Sequence, residues 1–113
     1  MSPQDQLQQL QLAQGYVRDI LLAPVYDIAI QTSVDRLKIL SERLGNDVFV
    51  KREDEQPVHS FKLRGAYNKL TTLSKEQLDL GVVAASAGNH AQGLALSAKT
   101  MGVTATIVMP ETT

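Results

Sequence analysis

Val82-Val83-Ala84-Ala85-Ser86-Ala87-Gly88-Asn89-His90-Ala91-Gln92-Gly93 opens on an apolar run, passes through small and polar residues, and then changes period. Ala91, Leu94, Ala95, Ala98 and Met101 recur at helical spacing up to Gly102, and Val103 to Met109 is a second apolar run closed by Pro110. Together these read as a strand, a tight loop, a helix ended by glycine and another strand, the βαβ unit that joins parallel strands. Parallel sheets carry helices on both faces, so the fold class is α/β, a parallel sheet with flanking helices.

Working back from that unit, Val48-Phe49-Val50 reads as a short strand, and Ser60 is expected to cap a helix carrying Phe61, Ala66, Tyr67 and Leu70. Between them the quartet Lys51-Arg52-Glu53-Asp54 carries charges of both signs and reads as a solvated strand end, followed by a turn around Pro57. Ser74 and Gln77 form a capping box for a short helix stopped by Gly81. Nearer the N-terminus, Ser2, Pro3 and Asp5 mark the start of a helix in which Leu7, Leu10, Val17, Ile20 and Leu21 keep helical spacing until Pro24. Its Gln-rich stretch, Gln4 to Gln14, is polar enough to fray. Thr32 or Ser33 is expected to open a further helix with the stripe Val34, Leu37, Leu40 and Leu44, closed by Gly45 and Asn46.

The 113 residues, 43% hydrophobic and 20% charged, suffice for one domain of ordinary size. Eleven Lys plus Arg against twelve Asp plus Glu leave a net charge of −1, so no basic field exists to hold nucleic acid or an anionic membrane as a primary partner. The absence of cysteine excludes disulfides, thiolate metal sites and a cysteine nucleophile, and it fits a reducing compartment, with the cytoplasm as the expectation. The longest apolar stretch, Ile20 to Tyr26, contains Pro24 and falls well short of the roughly 20 residues that cross a bilayer. No basic segment followed by an apolar one opens the chain, so it is not expected to be addressed for secretion. Few residues follow Met109, which leaves the sheet with open edges of the kind natural domains avoid. Residues 1–113 are therefore expected to be a piece of a larger protein.

Two places could carry chemistry. Lys62 falls in the first turn of the helix opened by Ser60, where the unpaired amides favour a neutral amine, the form that Schiff-base chemistry needs. On spacing alone the weightier reading is one more solvated first-turn lysine, since lysines are mostly exposed. The loop Ser86-Ala87-Gly88-Asn89-His90 lies between a strand and a helix N-terminus, where open α/β sheets place ligands and free amides receive carboxylates or phosphates. Gly88 as a tight turn and Asn89 as an N-cap are the alternative. His59 and His90 do not have the spacing of a metal pair, so no metal is assigned, and no G-x-G-x-x-G or P-loop pattern is present.

The run Val50-Lys51-Arg52-Glu53-Asp54-Glu55-Gln56-Pro57-Val58-His59-Ser60-Phe61-Lys62-Leu63-Arg64-Gly65-Ala66-Tyr67 resembles the cofactor-lysine segment of the fold-type II pyridoxal-phosphate enzymes, the tryptophan synthase beta-like group, in the form found in biosynthetic threonine dehydratases. Ala85-Ser86-Ala87-Gly88-Asn89-His90-Ala91-Gln92-Gly93 resembles the substrate loop of the same family, and Ala23-Pro24-Val25-Tyr26-Asp27 its lead-in segment. The resemblance implies that residues 1–113 are the N-terminal part of a catalytic domain, without the regulatory domain. It implies that Lys62 holds pyridoxal 5'-phosphate through its amine and that Asn89 hydrogen-bonds the ring oxygen of the cofactor. Ser86, Gly88, Asn89 and His90 would take the substrate carboxylate. The implied reaction is deamination of L-threonine, with L-serine as an alternative substrate, to 2-oxobutanoate and ammonia, the first step of isoleucine biosynthesis. Lys62 would be the catalytic base at the α-carbon, and the parent would be a homo-oligomer, a tetramer by resemblance.

Single residues separate the subfamilies. Sulfhydrylases and threonine synthases of this fold usually carry Asn-Pro-Thr-Gly-Ser-Phe-Lys, whereas Gln56-Pro57-Val58-His59 precedes Ser60-Phe61-Lys62 here, as in the dehydratases. Serine racemases resembling the family place a serine where Ala87 stands, and a methyl group cannot shuttle a proton. After Gln31-Thr32 the family often has Pro-Leu, but this chain has Ser33-Val34. Another serine or threonine dehydratase, a racemase, and a non-catalytic α/β binding module are the competing readings.

Overall fold

A computed structural model describes residues 2–112. Ser2 and Asp5 close the expected capping box: the Ser2 hydroxyl accepts the Asp5 N–H at 3.1 Å, and the Asp5 carboxylate accepts the Ser2 N–H at 2.8 Å. With Pro3 preset for the first turn, helix α1 (Pro3–Leu22) follows. It is continuous through Gln4 to Gln14, and no residue of α1 is buried. Among the described residues no helix is long and apolar enough to cross a membrane.

The helix expected to open at Thr32 or Ser33 is corrected by the structure. Val34–Arg36 form strand β1, paired antiparallel with β2 (Phe49–Lys51) in the register Val34↔Lys51, Asp35↔Val50, Arg36↔Phe49. Helix α2 is confined to Lys38–Leu44, with Gly45 in the left-handed close. Long-range bonds overrule the local caps here. The Arg52 N–H donates to the Ser33 carbonyl at 3.0 Å and the Leu37 N–H to the Val48 carbonyl at 2.9 Å, while the Thr32 hydroxyl is buried against Glu53. An antiparallel pair therefore stands beside the parallel sheet that the sequence foretells.

Helix α3 (Lys62–Thr71) buries Leu63, Ala66, Tyr67 and Leu70, the spacing of one helical face. Phe61 stands at the N-cap and is exposed, so its expected place within the helix is corrected. The Ser74–Gln77 capping box opens α4 (Lys75–Asp79) as read from the sequence. Gly81 then turns the chain at φ +80°, and a Cβ there would stand 2.9 Å from the Thr104 carbonyl oxygen. That close approach lets the Val82 N–H reach the same carbonyl at 2.9 Å and starts the parallel ladder.

Strand β3 (Val82–Ala85), helix α5 (Asn89–Met101) and strand β4 (Ala105–Val108) form the expected βαβ unit, with the two strands parallel and Val82 opposite Ala105. Leu70 from α3 meets Leu94 and Ala98 from α5, and Val82, Ala84, Ala105 and Ile107 of the sheet pack onto them. The opposite sheet face is bare in the described residues: Val83 is 72% exposed and Val108 54%. Strand β3 is thus covered on one face by the helices. Gly81→Ala is expected to destabilise the fold by about 1–3 kcal/mol, because a positive φ and a backbone oxygen both oppose a side chain. A lowered midpoint in urea unfolding is the measurement that checks it.

Candidate active site

Lys62 is the first residue of α3, and its side chain faces solvent. Ser60, buried, accepts the Lys62 N–H on its hydroxyl at 3.2 Å, while Phe61 takes the geometric N-cap position. The expected cap is therefore made by Ser60 from one residue further back. Upstream, Gln56 is fully buried and pairs with one residue twice: its Nε2 donates to the Ile30 carbonyl at 2.8 Å and its Oε1 accepts the Ile30 N–H at 3.0 Å. The side-chain amide thus satisfies a stretch of lead-in backbone as a neighbouring strand would.

Arg64, two residues past Lys62, forks onto Glu53 with Nε to Oε2 at 2.9 Å and Nη2 to Oε1 at 3.0 Å. The Thr32 hydroxyl donates to Glu53 Oε1 at 2.9 Å, and the guanidinium lies 5.2 Å from the centre of the Tyr26 ring. Hydrogen bonds from Arg64 hold the Glu53 carboxyl below the usual glutamate range; burial opposes them and Thr32 assists. Arg64 is correspondingly held in its charged form, first by Glu53. Glu53 is thus the hub of a tie between the lead-in segment and α3, which corrects its reading as part of a solvated strand end. The pairing joins positions eleven residues apart, a separation at which charge pattern alone carries no signal.

The second motif meets the first through Gly93. A Cβ on Gly93 would stand 3.2 Å from the Lys62 carbonyl carbon and 3.2 Å from the Leu63 nitrogen, so the α5 backbone lies directly on the start of α3. Asn89 is one turn before Gly93 on the same stripe of α5, which carries it toward the Lys62 end of α3. His90, rotated by one position, borders a different space: a hollow of about 300 Å³ shared with Gly65, Ala66, Lys69, Val82 and Leu94. Of the four residues expected to take a carboxylate, His90 is therefore turned toward the flank of α3. Ser86 extends the ladder, its N–H donating to the Val108 carbonyl at 2.9 Å, and its hydroxyl accepts the Gly88 N–H at 3.3 Å.

Gly88 is the N-cap of α5 and offers no side-chain cap, which replaces the alternative reading of Asn89 as the cap. Nothing lies within 4 Å of where a Cβ of Gly88 would stand, and no acidic residue sits in the first turn. The strand-to-helix turn therefore presents open backbone and first-turn amides to an anionic group. An amine at one helix start, an amide on the stripe that packs against it, and an uncapped helix end fit a carbonyl cofactor bearing an anionic group. These features make the start of α3 and the uncapped start of α5 the candidate site on an α/β scaffold.

The family model described as pyridoxal-phosphate dependent enzyme matches residues 25–113, and the chain belongs to that family. The L-threonine dehydratase biosynthetic of Pasteurella multocida is 61% identical over 98 residues, which are 87% of this chain and 19% of that protein. The solved processed form of threonine deaminase isoform 2 from Solanum lycopersicum superposes with a TM-score of 0.82 at 52% identity, over 99% of this chain and 29% of that one. Maize serine racemase superposes with a TM-score of 0.77 at 36% identity, over 83% of this chain and 30% of its own. The chain thus spans about a fifth of the length of the curated relative.

Two outcomes follow from this geometry. Gly93→Ala is expected to push the start of α3 away from α5, since every close atom is backbone, and to weaken pyridoxal phosphate binding by the intact protein about tenfold; absorbance titration of the apo-protein reads this directly. Glu53→Gln is expected to cost about 1–2 kcal/mol at neutral pH. Because the folded carboxyl titrates below the ordinary glutamate value, that cost is fully present above this value and disappears as pH falls through the folded one. Unfolding of both proteins in urea from pH 7 down to pH 3 checks the convergence.

Proposed function

We propose that this chain is the N-terminal, lysine-bearing part of the catalytic domain of a threonine ammonia-lyase, which converts L-threonine to 2-oxobutanoate and ammonia at the first step of isoleucine biosynthesis. The observation that carries the reading is the contact of Gly93 with the Lys62–Leu63 backbone, which unites the cofactor-lysine helix with the substrate loop. The threonine dehydratase and threonine deaminase relatives support the choice of substrate.

Lys62 would hold pyridoxal phosphate through Nζ, and the Asn89 side-chain amide would donate to the ring hydroxyl. The bound cofactor supplies an electron sink for the charge left at the substrate α-carbon. Ser86, Gly88 and Asn89 receive the threonine carboxylate on hydroxyl, backbone and amide donors at the uncapped start of α5, with His90 contributing from its backbone. Fixing the carboxylate there orients the α-hydrogen toward the α3 start. Lys62, freed at Nζ when threonine binds, would take the α-proton, the β-hydroxyl would leave with a proton as water, and water would then hydrolyse the released enamine to 2-oxobutanoate and ammonia. Ala87 offers a methyl in the same loop, so no second acid or base from that position serves the opposite face of the substrate. The reading is therefore lyase rather than racemase.

The intact enzyme is a cytoplasmic homotetramer in this proposal, as the resemblance suggests. Lys62→Ala in the intact protein is expected to remove borohydride-stable incorporation of the cofactor and to lower 2-oxobutanoate production by about a thousandfold or more. Peptide mapping of the reduced protein and a ketoacid assay measure the two effects. Labelling of a different lysine would sink the assignment.

A further inference from the structure

His59 is the one non-glycine residue with positive φ among the described residues, at +53°. It stands three residues before Lys62, at the end of a turn in which the Gln56 carbonyl accepts the His59 N–H at 2.7 Å. Gln56 is immobilised by its double pairing with Ile30, and Ser60, buried, holds the Lys62 N–H. Both ends of the segment are thus clamped, and the torsion at His59 sets the direction in which the chain leaves one clamp for the other.

A left-handed backbone is unfavourable for a residue with a Cβ, and histidine is among the few that occupy it with some frequency. The imidazole returns to its own turn: Nδ1 donates to the Asp54 carbonyl at 2.9 Å, which fixes the proton on that nitrogen and holds the ring over residues 54–59. The contact is local, and His59 is exposed.

We infer that His59 is a positioning residue, whose left-handed backbone aims Lys62 at the cofactor. The inference rests on the reading of Lys62 as the cofactor lysine. What matters at position 59 is tolerance of positive φ rather than acid-base chemistry.

The test is a series in the full-length holoenzyme: His59→Gly, His59→Asn, His59→Ala and His59→Val. Gly and Asn accept positive φ, and are expected to keep cofactor affinity, the absorbance of the lysine-bound cofactor and kcat within about threefold of the parent. Val is expected to lose about tenfold or more in cofactor affinity and kcat, with Ala between them and the KM for threonine little changed. Ala serves as the measure if Val fails to fold by circular dichroism. Loss in Gly as large as in Ala would overturn the inference in favour of imidazole chemistry, and a flat series would overturn it outright. Borohydride labelling of the unsubstituted enzyme separates the two readings: label away from Lys62 removes the catalytic assignment itself, whereas label on Lys62 with a flat series removes this inference alone.

Discussion

The contact on which the rest depends is backbone against backbone: α5 lies so close to the start of α3 at Gly93 that a methyl group would stand 3.2 Å from main-chain atoms of Lys62 and Leu63. Main-chain atoms cannot rotate out of the way as a side chain can, so the absence of a Cβ at this position sets how closely the helices approach. The same approach stacks Leu94 and Ala98 onto Leu70 and closes the core over one face of the β3–β4 sheet. Core and site are consequently one piece of packing. The helix bearing Lys62 and the helix that opens at Asn89 cannot separate without exposing the apolar cluster beneath them.

A second, polar constraint holds the other side of α3. Glu53, bonded by Arg64 and Thr32, and Gln56, bonded to both backbone groups of Ile30, connect three segments distant in sequence. Buried polar groups are costly unless satisfied, and none of the buried side-chain nitrogens or oxygens among the described residues lacks a partner. Such a network stabilises modestly in total, yet it discriminates sharply between arrangements, because removing one partner strands the others. Its position explains how an exposed lysine at a helix start can have a defined direction: the turn before it is fastened at Gln56 and at Ser60.

Much of this was legible in the chain itself. The capping boxes at Ser2 and Ser74, the glycine closes at positions 45 and 102, and the strand-loop-helix-strand pattern from Val82 to Val108 stand where local chemistry puts them. Caps and periodicity are properties of a few consecutive residues, and at these positions they hold. Thr32 and Ser33 misled because a good capping residue is also a good partner for a distant donor or acceptor, and here Glu53 and Arg52 claimed them. Glu53 misled for the same reason, since a charged quartet at a strand end looks solvated until Arg64 arrives from the next helix.

The residue types alone determined the α/β class, the two candidate motifs, and the family they resemble, because those depend on short-range pattern. Lys62 and Asn89 could be named from the sequence, but not the approach of the helices that begin there: that was decided by α5 lying on α3 at Gly93. The turning of His90 toward the flank of α3 and the left-handed backbone at His59 were decided in the same way. Each follows from segments far apart in the chain competing for the same atoms, and that competition is settled only when the core has closed.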